Sequence, residues 1–520
     1  MKILTPEQIR RVEEKTMQRQ GISERQLIER AAEAAWNAMQ AELYGAGPVI
    51  VLCGPGKNGA DGLALCMHLL EAGKAPQIYV LAAEHYHDAF NEQMGRLFER
   101  GVEVKWMRKP KDIPAFSEED IVVDALFGTG LNRPLAGIAA DLAISLSSAS
   151  SYVISLDIPS GIPSTGVAEP GPWPHIEASS TYTFGLPKLA LFMSDTGRVA
   201  GEFQVLDIGL DKDAIQEEES PYLIPDEAQM AFLGPYERVR FSHKGDYGHA
   251  LLVGGRLGVC GCMILASQAA LRAGCGLVTV GLPKSGLMAL QAAVPEAMVV
   301  PDTSDDFITG LPEKLDRYTA IGMGPGMGKG PGAVAALQAL LRSKHPRLVL
   351  DADALNILAE HKEMLKDLPI GTVLTPHAGE LDRLVEHNGT ALARLDAARN
   401  LAQKHTCFVV LKGAFTAICA PTGDVLFNQN GNPGMATAGT GDVLTGLLTG
   451  LLAYFNDPLD ALVLGIYLHG LAGDLAAQRL SQQALTAGAV ARMLGKAWLH
   501  VDAMRQMPDL LSAAEDDVPF

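Results

Sequence analysis

The sequence predicts two α/β domains in tandem, each with a parallel sheet covered on both faces by helices. The chain has 520 residues, more than one hydrophobic core usually organises. Strand-length runs that are apolar throughout alternate with helical patterns in both halves, as is typical of buried parallel sheets. Around 211–225 the acidic segment DKDAIQEEESPYLIP lacks apolar periodicity and contains two prolines. We therefore predict domains over 1–215 and 225–515, with a linker over 216–224.

The N-terminal half is predicted to open with two helices and to continue with alternating strands and helices. Thr5-Pro6-Glu7-Gln8 and Ser23-Glu24-Arg25-Gln26 both have the pattern of a capping box at a helix start. The Gly-rich turn GPGKNGADG (54–62) follows the first strand and opens a helix. Strands are predicted within PVIVLCG (48–54), APQIYVLAA (75–83), EDIVVDALFG (119–128) and SYVISLDIPSG (151–161).

The C-terminal half is predicted to form a second α/β series. A long Ala-rich helix begins at 261, and further apolar helices begin at Val443 and cover 460–478. The run FTAICAPTGDVLFNQ is predicted to be a hairpin with Pro421-Thr422-Gly423-Asp424 in its turn. Strands are predicted within HALLVGG (249–255), GLVTVGLP (276–283), YTAIGMGPGMG (318–328), PRLVLDADALN (346–356), GTVLTPHAGE (371–380) and CFVVLKG (407–413).

The bulk composition argues against several classes of partner. A formal charge of -18 disfavours nucleic acid, because phosphate backbones reward clustered Lys and Arg. The N-terminus has no uninterrupted apolar segment of a secretory signal, and no run of about 18 apolar residues occurs. We therefore expect a cytoplasmic protein that binds no membrane. Seven cysteines without CxxC spacing favour reduced, mostly buried thiols over disulfides or a zinc site.

The motif Gly439-Thr440-Gly441-Asp442 precedes the apolar helix predicted from Val443. The free N–H groups and the positive end of the helix dipole favour an anion there, and glycines let a phosphate approach the backbone. A carboxylate beside a bound phosphate could act as a general base that accepts the proton of an attacking hydroxyl. Asp is also a favoured capping residue. The motif alone leaves both roles of Asp442 open.

Other strand ends in the C-terminal half favour the ligand-binding interpretation. Lys412, the turn 324–328 and the turn 375–380 each follow a predicted strand. Open α/β sheets bind ligands at the carboxyl ends of their strands. His377 by itself would more often be a hydrogen-bonded structural histidine. These three strand ends, together with the helix start at 439–442, predict a ligand crevice.

Seven spaced segments of the C-terminal half form one ordered set: HALLVGG, GCGLVTV, GMGPGMG, VLDADALN, TPHAGE, LKGAFT and AGTGDVL. By these segments and their order, the region over about 225–510 resembles the ADP-dependent NAD(P)H-hydrate dehydratases of the ribokinase-like superfamily. The resemblance implies a ribokinase-like three-layer α/β domain that binds ADP with magnesium. Cys262 stands where the family usually has Ala. The resemblance implies nucleotide contacts from Lys412, Gly413, Ala414, Phe415, Thr416 and Gly441. It also implies hydrated-dinucleotide contacts from Cys262, Gly326, His377 and Asp442.

Three segments stand out in the N-terminal half: GPGKNGADG (54–62), DALFGTGLNRPLAG (124–137) and SLDIPSGIPSTG (155–166). By these segments the region over about 1–215 resembles the NAD(P)H-hydrate epimerases. The first segment is similar to that family's GxGNNGGDG turn, with Lys57 for the first Asn and Ala60 for a Gly. The resemblance implies a Rossmann-like three-layer domain and a potassium ion bound by Asn58, Asp124 and Ser160. It implies substrate contacts from Lys57, Asn58, Gly59, Ala60, Asp61, Gly128, Thr129, Gly130, Leu131, Asn132, Arg133, Pro134 and Asp157.

The residues themselves agree with such a site. Asp124 and Asp157 each end an apolar strand, where an ionised carboxylate needs a cation or a ligand as a partner. Either could instead cap the following turn. Oxygen ligands without a thiolate suit an alkali or alkaline-earth ion better than zinc.

The two resemblances imply a bifunctional repair enzyme for hydrated NADH and NADPH. The N-terminal domain would interconvert the R and S epimers at C6, with Asp157 in acid–base catalysis. In the C-terminal domain Asp442 would take the ring hydroxyl proton, ADP would phosphorylate that hydroxyl and become AMP, and phosphate would then leave. The small residues of Gly431–Gly446 would let two nucleotide-like ligands meet. Two alternatives are a ribokinase-like small-molecule kinase with an accessory domain and a non-catalytic nucleotide-sensing module; relatives imply a homo-oligomer.

Overall fold

The structure is a computed structural model that describes residues 1–43, 47–131, 133–167, 171, 173–233, 238–386 and 389–516, with side chains to residue 505. The chain divides into two compact units. Unit 1 comprises Met1–Tyr222 and Gly389–Ala393, and unit 2 comprises Leu223–Asn388 and Arg394–Phe520.

Unit 1 contains a seven-stranded sheet in the order β3-β2-β1-β4-β5-β6-β7, and every pairing is parallel. The strands are β1 Val49–Cys53, β2 Gln77–Leu81, β3 Val104–Met107, β4 Ile121–Ala125, β5 Tyr152–Leu156, β6 Ser180–Phe184 and β7 Glu202–Leu206. The helices are α1 Pro6–Gln20, α2 Glu24–Leu43, α3 Lys57–Glu71, α4 Asp88–Glu99, α5 Ile138–Ser147 and α6 Lys212–Glu217.

Helices cover both faces of this sheet, so the predicted three layers are confirmed. Alternate residues of β1 enter different hydrophobic clusters, as the pleat of a strand requires. Val49 and Val51 pack in the cluster that contains α2 and α3, whereas Ile50 and Leu52 pack in the cluster that contains α5. All five residues of β1 are buried.

Both predicted capping boxes are present in unit 1. The backbone N–H of Gln8 donates to Thr5 Oγ1, and the backbone N–H of Thr5 donates to the Gln8 side chain. Ser23 and Gln26 make the equivalent reciprocal pair. These bonds satisfy N–H groups that a helix start would otherwise leave without partners.

Unit 1 also contains elements that sequence patterns did not predict. Strands β3, β6 and β7 have mixed polarity, and the acidic segment after 211 contains helix α6. Asp211 caps α6 by accepting from Ala214 N at 2.7 Å. Arg19 on α1 bonds to Asp211 at 2.7 Å and to Glu217 at 2.6 Å. The acids of this segment therefore serve partly as ion-pair partners within unit 1.

Unit 2 contains a ten-stranded sheet in the order β11-β10-β9-β12-β13-β14-β15-β16-β17-β8. The pairings from β11 to β15 are parallel, and β15–β16–β17 are antiparallel. The strands are β8 Tyr222–Leu223, β9 His249–Val253, β10 Leu277–Leu282, β11 Met298–Pro301, β12 Ala320–Met323, β13 Leu348–Leu350, β14 Val373–Leu374, β15 Phe408–Leu411, β16 Ala417–Cys419 and β17 Val425–Phe427.

The helices of unit 2 are α7 Glu227–Met230, α8 Gly261–Arg272, α9 Leu287–Ala293, α10 Pro331–Arg342, α11 Asp353–Glu360, α12 Ala378–Val385, α13 Ala391–His405, α14 Thr440–Leu452, α15 Pro458–Leu480 and α16 Ala487–Asp516. The predicted hairpin is confirmed as β16–β17. The helix predicted from Val443 begins earlier, at Thr440, because Gly439 adopts a left-handed φ of 95° and closes the preceding turn.

Helix α15 is the one described helix long and apolar enough to cross a membrane by length and composition. Its most apolar window is 67% buried within the protein. Leu462, Leu464 and Leu468 of this helix lie in the core cluster that also contains α8 and α14. The apolar character of α15 is thus accounted for by packing.

Candidate active sites

Unit 1 has a cavity of about 600 Å³ at the carboxyl ends of β1, β4 and β5. The Gly-rich turns that follow β1 and β4 form much of its wall. Gly59 and Ala60 lie in the first turn of α3 behind the wall, Pro134 is exposed, and Asn132 lies outside the described residues. The cavity brings together the sequence-predicted residues Lys57, Asn58, Asp61, Gly128, Thr129, Gly130, Leu131, Arg133 and Asp157.

Asp157 ends β5 in an unusual backbone conformation and contacts a buried lysine. Its φ is 69°, in the left-handed region that non-glycine residues rarely adopt. Its Oδ1 lies 2.5 Å from the Nζ of Lys188, a side chain that is 2% exposed. The N–H of Thr129 donates to the other oxygen, Oδ2, at 3.3 Å. Asp157 is therefore held by an ion pair rather than by a simple turn cap.

Asp124, at the end of β4, is fully buried among hydrogen-bond donors. It accepts bonds from Ser155 Oγ at 2.9 Å, from Ser160 Oγ at 2.6 Å and from Ser160 N at 2.8 Å. Burial raises the pKa of Asp124 despite these bonds. Both side-chain polar atoms of Asn58 are buried without a hydrogen-bond partner in the described structure. Asn58 lines the cavity, whereas Asp124 and Ser160 are not among its lining residues. A buried acid and an unpartnered buried amide are each suited to a cation.

Lys57 joins the cavity wall to helices α1 and α2. Its Nζ lies 2.8 Å from Glu24 and 3.3 Å from Glu13. Burial acts to lower the pKa of Lys57, but the two glutamates outweigh it and the pKa is raised. Asp61 lines the same cavity, and burial raises its pKa well above the usual range, with a further contribution from Asp157. The cavity thus combines two lysines with four acids.

Sequence patterns missed Glu13, Glu24 and Lys188 as cavity residues. The two glutamates face the cavity because the fold brings Glu13 of α1 and Glu24 of α2 to Lys57 at the start of α3, which no local pattern reveals. Lys188 follows the polar strand β6, and the segment TFGLPK could have signalled it by the rule that ligand-binding residues follow strands.

In unit 2, Lys412 lies at the centre of a polar network at the carboxyl ends of β13 and β15. Its Nζ is 2.7 Å from Asp351 Oδ1 and 3.7 Å from Glu380. Thr445 on α14 donates to the other oxygen of Asp351 at 2.6 Å. Burial acts to lower the pKa of Lys412, but Asp351 and Glu380 outweigh it and the pKa is raised. Sequence reasoning did not assign this anchoring role to Asp351.

Asp442 lies in the first turn of α14 and is not its cap. The helix has no side-chain cap bond at its start, and none of the described residues donates a hydrogen bond to Asp442. Its pKa is raised to about 6, mainly by burial and also by the negative charge of Asp351, against an opposing effect of Lys412. A Cβ added to neighbouring Gly441 would lie 3.6 Å from Lys412 Nζ. The capping alternative is therefore wrong, and an acid with free lone pairs faces a lysine.

His377 has a structural role that the sequence raised as an alternative. Its Nδ1 accepts from Gly379 N at 3.0 Å and from Glu380 N at 3.3 Å, so it caps α12. The side chain remains 55% exposed. His377 also pairs with Lys412 as a parallel bridge between neighbouring strand ends. The cap therefore fixes the ring beside the polar network and leaves its other edge accessible.

Cys262 and Gly326 lie in contact on one wall of this site. Gly326 has a φ of 63°, and a Cβ there would approach the sulfur of Cys262 to 2.8 Å. The thiol donates to Val259 O at 3.0 Å. Burial raises the pKa of Cys262 to about 12, so the thiol stays protonated at neutral pH. All seven cysteines have free thiols, and six of them are buried, whereas Cys260 is partly exposed. This agrees with the prediction of reduced, mostly buried thiols.

The remaining predicted nucleotide residues, 413–416, form the turn between β15 and β16. Thr416 Oγ1 donates to Gly413 O at 3.4 Å within that turn. His469 on α15 was not predicted; its Nε2 lies 3.0 Å from Thr440 O, and burial lowers its pKa to about 4. A neutral histidine therefore fixes the start of α14.

Comparisons with known proteins match both halves of the chain. A family model described as NAD(P)H-hydrate dehydratase matches residues 250–494, and the model of the YjeF-related protein N-terminus matches residues 24–190. A bifunctional NAD(P)H-hydrate repair enzyme of Moorella thermoacetica is 36% identical over 85% of this chain and 85% of its own length. One from Thermofilum pendens is 34% identical over 96% of each chain.

Among solved structures, an ADP/ATP-dependent NAD(P)H-hydrate dehydratase from Bacillus subtilis, co-crystallized with ATP/Mg2+, is 29% identical. It covers 54% of this chain and 98% of its own, with a TM-score of 0.47.

Proposed function

This chain belongs to the family of bifunctional NAD(P)H-hydrate repair enzymes, and we propose that its two units divide the repair between them. Unit 1 interconverts the R and S hydrates of NADH and NADPH, and unit 2 converts the S hydrate to the reduced cofactor with ADP. The observation that carries this proposal is the pair of acids at separate strand-end sites. Asp157 is ion-paired beside a large cavity. Asp442 has no hydrogen-bond donor among the described residues and has a raised pKa beside Lys412.

In unit 2, Asp442 acts as the general base. It takes the proton of the ring hydroxyl as that oxygen attacks the β-phosphorus of ADP, and AMP departs. Hydroxide is a poor leaving group, whereas phosphate is a good one. The lone pair of the ring nitrogen therefore expels phosphate from the ester. Lys412, held by Asp351 at 2.7 Å, balances charge on the phosphoryl group. The N–H groups at the start of α14 have no intrahelical partners and lie near Lys412, since a Cβ on Gly441 would be 3.6 Å from Lys412 Nζ.

Nucleotide contacts in unit 2 are proposed for Lys412 to Thr416 and Gly441, and dinucleotide contacts for Cys262, Gly326 and His377. A magnesium ion bound mainly by nucleotide phosphates fits this donor set. No group of three or more metal-binding side chains occurs among the described residues, and Mg²⁺ typically uses one or two carboxylates with substrate phosphates. When bound, the ion would neutralise phosphate charge.

In unit 1, residues 57–61, residues 128–134 and Asp157 hold the hydrate. Asp157 takes the proton of the C6 hydroxyl as the C6–N1 bond breaks and C6 becomes a carbonyl carbon, and it returns a proton to that oxygen when N1 adds to the other face of C6. Asn58, Asp124 and Ser160 would bind a potassium ion. This fits, because the Asn58 amide has no described partner and Asp124 is a fully buried acid. The ion would supply the positive charge that a buried carboxylate requires.

We further propose that the protein acts in the cytoplasm as a homo-oligomer. Family resemblance supports this assembly, and the chain's charge of -18 suits a protein that stays dispersed in solution. Light scattering on the purified full chain measures the mass directly, and a monomer at micromolar concentration would refute it.

A mixed R and S sample of NADH hydrate tests the function. The return of reduced-nicotinamide absorbance is followed with ADP, with ATP and with neither. We expect full recovery of both epimers with ADP, and loss of that recovery in Asp442→Asn. Recovery of the S share alone would refute the role of unit 1, with Asp157→Asn as the control for spontaneous epimerisation. A stable phosphorylated product with ATP preferred would instead support a small-molecule kinase.

A further inference from the structure

Lys188 is a buried cation inside the unit 1 cavity to which no role has been assigned. Its side chain is 2% exposed, yet it lines the cavity. Its Nζ donates to the carbonyl of Phe184 at 2.9 Å and lies 2.5 Å from Asp157 Oδ1. A buried ammonium without a partner is strongly destabilising, because its charge is removed from water with no compensating interaction. The position of Lys188 therefore requires an ionised carboxylate beside it.

The same contact constrains Asp157. The left-handed region is unfavourable for a non-glycine residue, because its Cβ crowds the following carbonyl oxygen, so the surroundings must hold Asp157 there. Its backbone N–H donates to Tyr182 O at 2.7 Å, and the ion pair fixes its side chain. Strain of this kind persists where neighbouring groups determine the conformation.

The two oxygens of Asp157 have different surroundings. Oδ1 faces Lys188 and, more distantly, Phe184 N at 3.5 Å. Oδ2 faces the glycine turn, since a Cβ on Gly128 would lie 2.9 Å from it. Oδ2 is therefore the oxygen directed to the part of the cavity where the hydrate is proposed to bind.

We propose that Lys188 is the positioning residue of the epimerase, holding Oδ1 so that Oδ2 exchanges the proton of the substrate hydroxyl. Rotation of the carboxylate would break the ion pair, so Lys188 fixes which oxygen reacts. The charged groups near this pair are Asp61, Glu13 and Lys57, and none of them replaces the 2.5 Å contact. The inference rests on the proposed function of unit 1 and adds a residue to it.

The test compares Lys188→Met, Lys188→Arg and Lys188→Ala with wild type in the full chain. Lys105→Met is the matched control, because Lys105 is an exposed lysine of unit 1 that bonds Gln77 and Tyr79 outside the cavity. The rate of R-to-S conversion is measured by NMR without ADP. Folding of unit 1 is followed by tryptophan fluorescence, since Trp36, Trp106 and Trp173 lie in it.

We expect Lys188→Met to lower the epimerisation kcat by about 100-fold with a smaller change in KM, and Lys105→Met to behave as wild type. Lys188→Arg should retain more activity than Lys188→Met. In Lys188→Ala, added propylammonium should restore the rate in proportion to its concentration, whereas 1-propanol should not. A structural role alone would not respond to the charge of the added molecule.

Three results would overturn the inference. One is wild-type kcat in Lys188→Met. Another is equal loss in the Met and Arg variants without rescue of the Ala variant by propylammonium. A third is a rescue in which 1-propanol works as well. If the wild type itself does not accelerate R-to-S conversion, the proposed function of unit 1 is wrong. That result is distinct from the three above, which contradict the role of Lys188 alone.

Discussion

The pKa of Asp442 is raised to about 6 by burial and by the negative charge of Asp351, with an opposing effect of Lys412. A general base acts in its ionised form, which predominates above its pKa. The kcat/KM for dehydration should therefore rise with pH through about 6 and level off above it. Assays from about pH 5 to about pH 8 measure this, with Asp442→Asn expected to lose at least about 100-fold. The exposed Asp316→Asn is the control; a flat profile across pH 6 would exclude Asp442 as the base.

Asp351 provides a second prediction at the residue scale. Replacing it with Asn removes the partner of Lys412 and the negative charge that raises the pKa of Asp442. The positive charge of Lys412 would then lower the pKa of Asp442 without the opposing charge of Asp351. The pH at which kcat/KM rises should therefore move below about 6. Loss of a buried ion pair should also destabilise unit 2 by about 3 kcal/mol and raise the KM for ADP.

Thermal unfolding and the pH profile of Asp351→Asn measure these effects, with Asp353→Asn as a neighbouring control outside the Lys412 network. A profile that moves to higher pH would contradict the electrostatic account, because removal of a like charge must favour the ionised form of Asp442.

At the residue scale, sequence reasoning found residues whose position follows from local pattern. Asp442 and Lys412 lie at ends of apolar segments, and the structure places them on facing elements. Lys188 and Asp351 act through partners distant in sequence, and only the folded sheet brings those partners within 2.7 Å. A single sequence carries no signal for such pairings, so these two were not predicted as anchors.

At the scale of elements, helices α8 and α14 show a second reason for small residues in the glycine-rich segment. A Cβ on Gly446 would lie 1.9 Å from the carbonyl oxygen of Ala266, and one on Gly450 would lie 2.8 Å from that of Ala270. These glycines let two helices pack closely. The idea that the whole segment to Gly446 is small to admit ligands is wrong for Gly446 itself.

Gly446→Ala should destabilise unit 2 by about 1–3 kcal/mol, because the added methyl meets backbone that cannot move aside. Gly495→Ala is the matched control on α16, where a Cβ would meet nothing within 4 Å. That change should stabilise by about 0.5–1 kcal/mol, since Ala is the better helix former. Chemical denaturation compares the two. Equal stability of both variants would contradict the proposed close packing of α8 and α14.

Element boundaries show where local patterns were sufficient. The capping boxes placed the starts of α1 and α2, and apolar runs placed the central strands. Strand β6, with sequence STYTF, was missed because its polar side chains lie inside the protein, where Thr181 Oγ1 donates to Ala200 O at 2.7 Å and Thr183 Oγ1 is buried without a partner among the described residues. Helix α14 begins at Thr440 because Gly439 provides the preceding turn. The sequence pattern did not locate this start, because any of several small residues in the segment could have formed the turn.

At the scale of the whole molecule, each unit has its own sheet and hydrophobic core. The clusters that enclose β1 and its helices involve unit 1 alone, and the cluster around α8 and α14 involves unit 2. Each candidate site is also built from residues of a single unit. Loss of one site should therefore leave the other folded and active.

This independence predicts that the two activities complement one another between molecules. Asp157→Asn with ADP should recover only the S share of a mixed hydrate, and Asp442→Asn should recover neither share. An equimolar mixture of the two variants should recover both epimers, because the S hydrate made by one molecule can diffuse to another. Absorbance recovery by the mixture, compared with each variant alone at the same total concentration, measures this. If the mixture recovers only the S share at the rate of Asp157→Asn alone, while wild type recovers both, then the hydrate must pass between sites within one molecule.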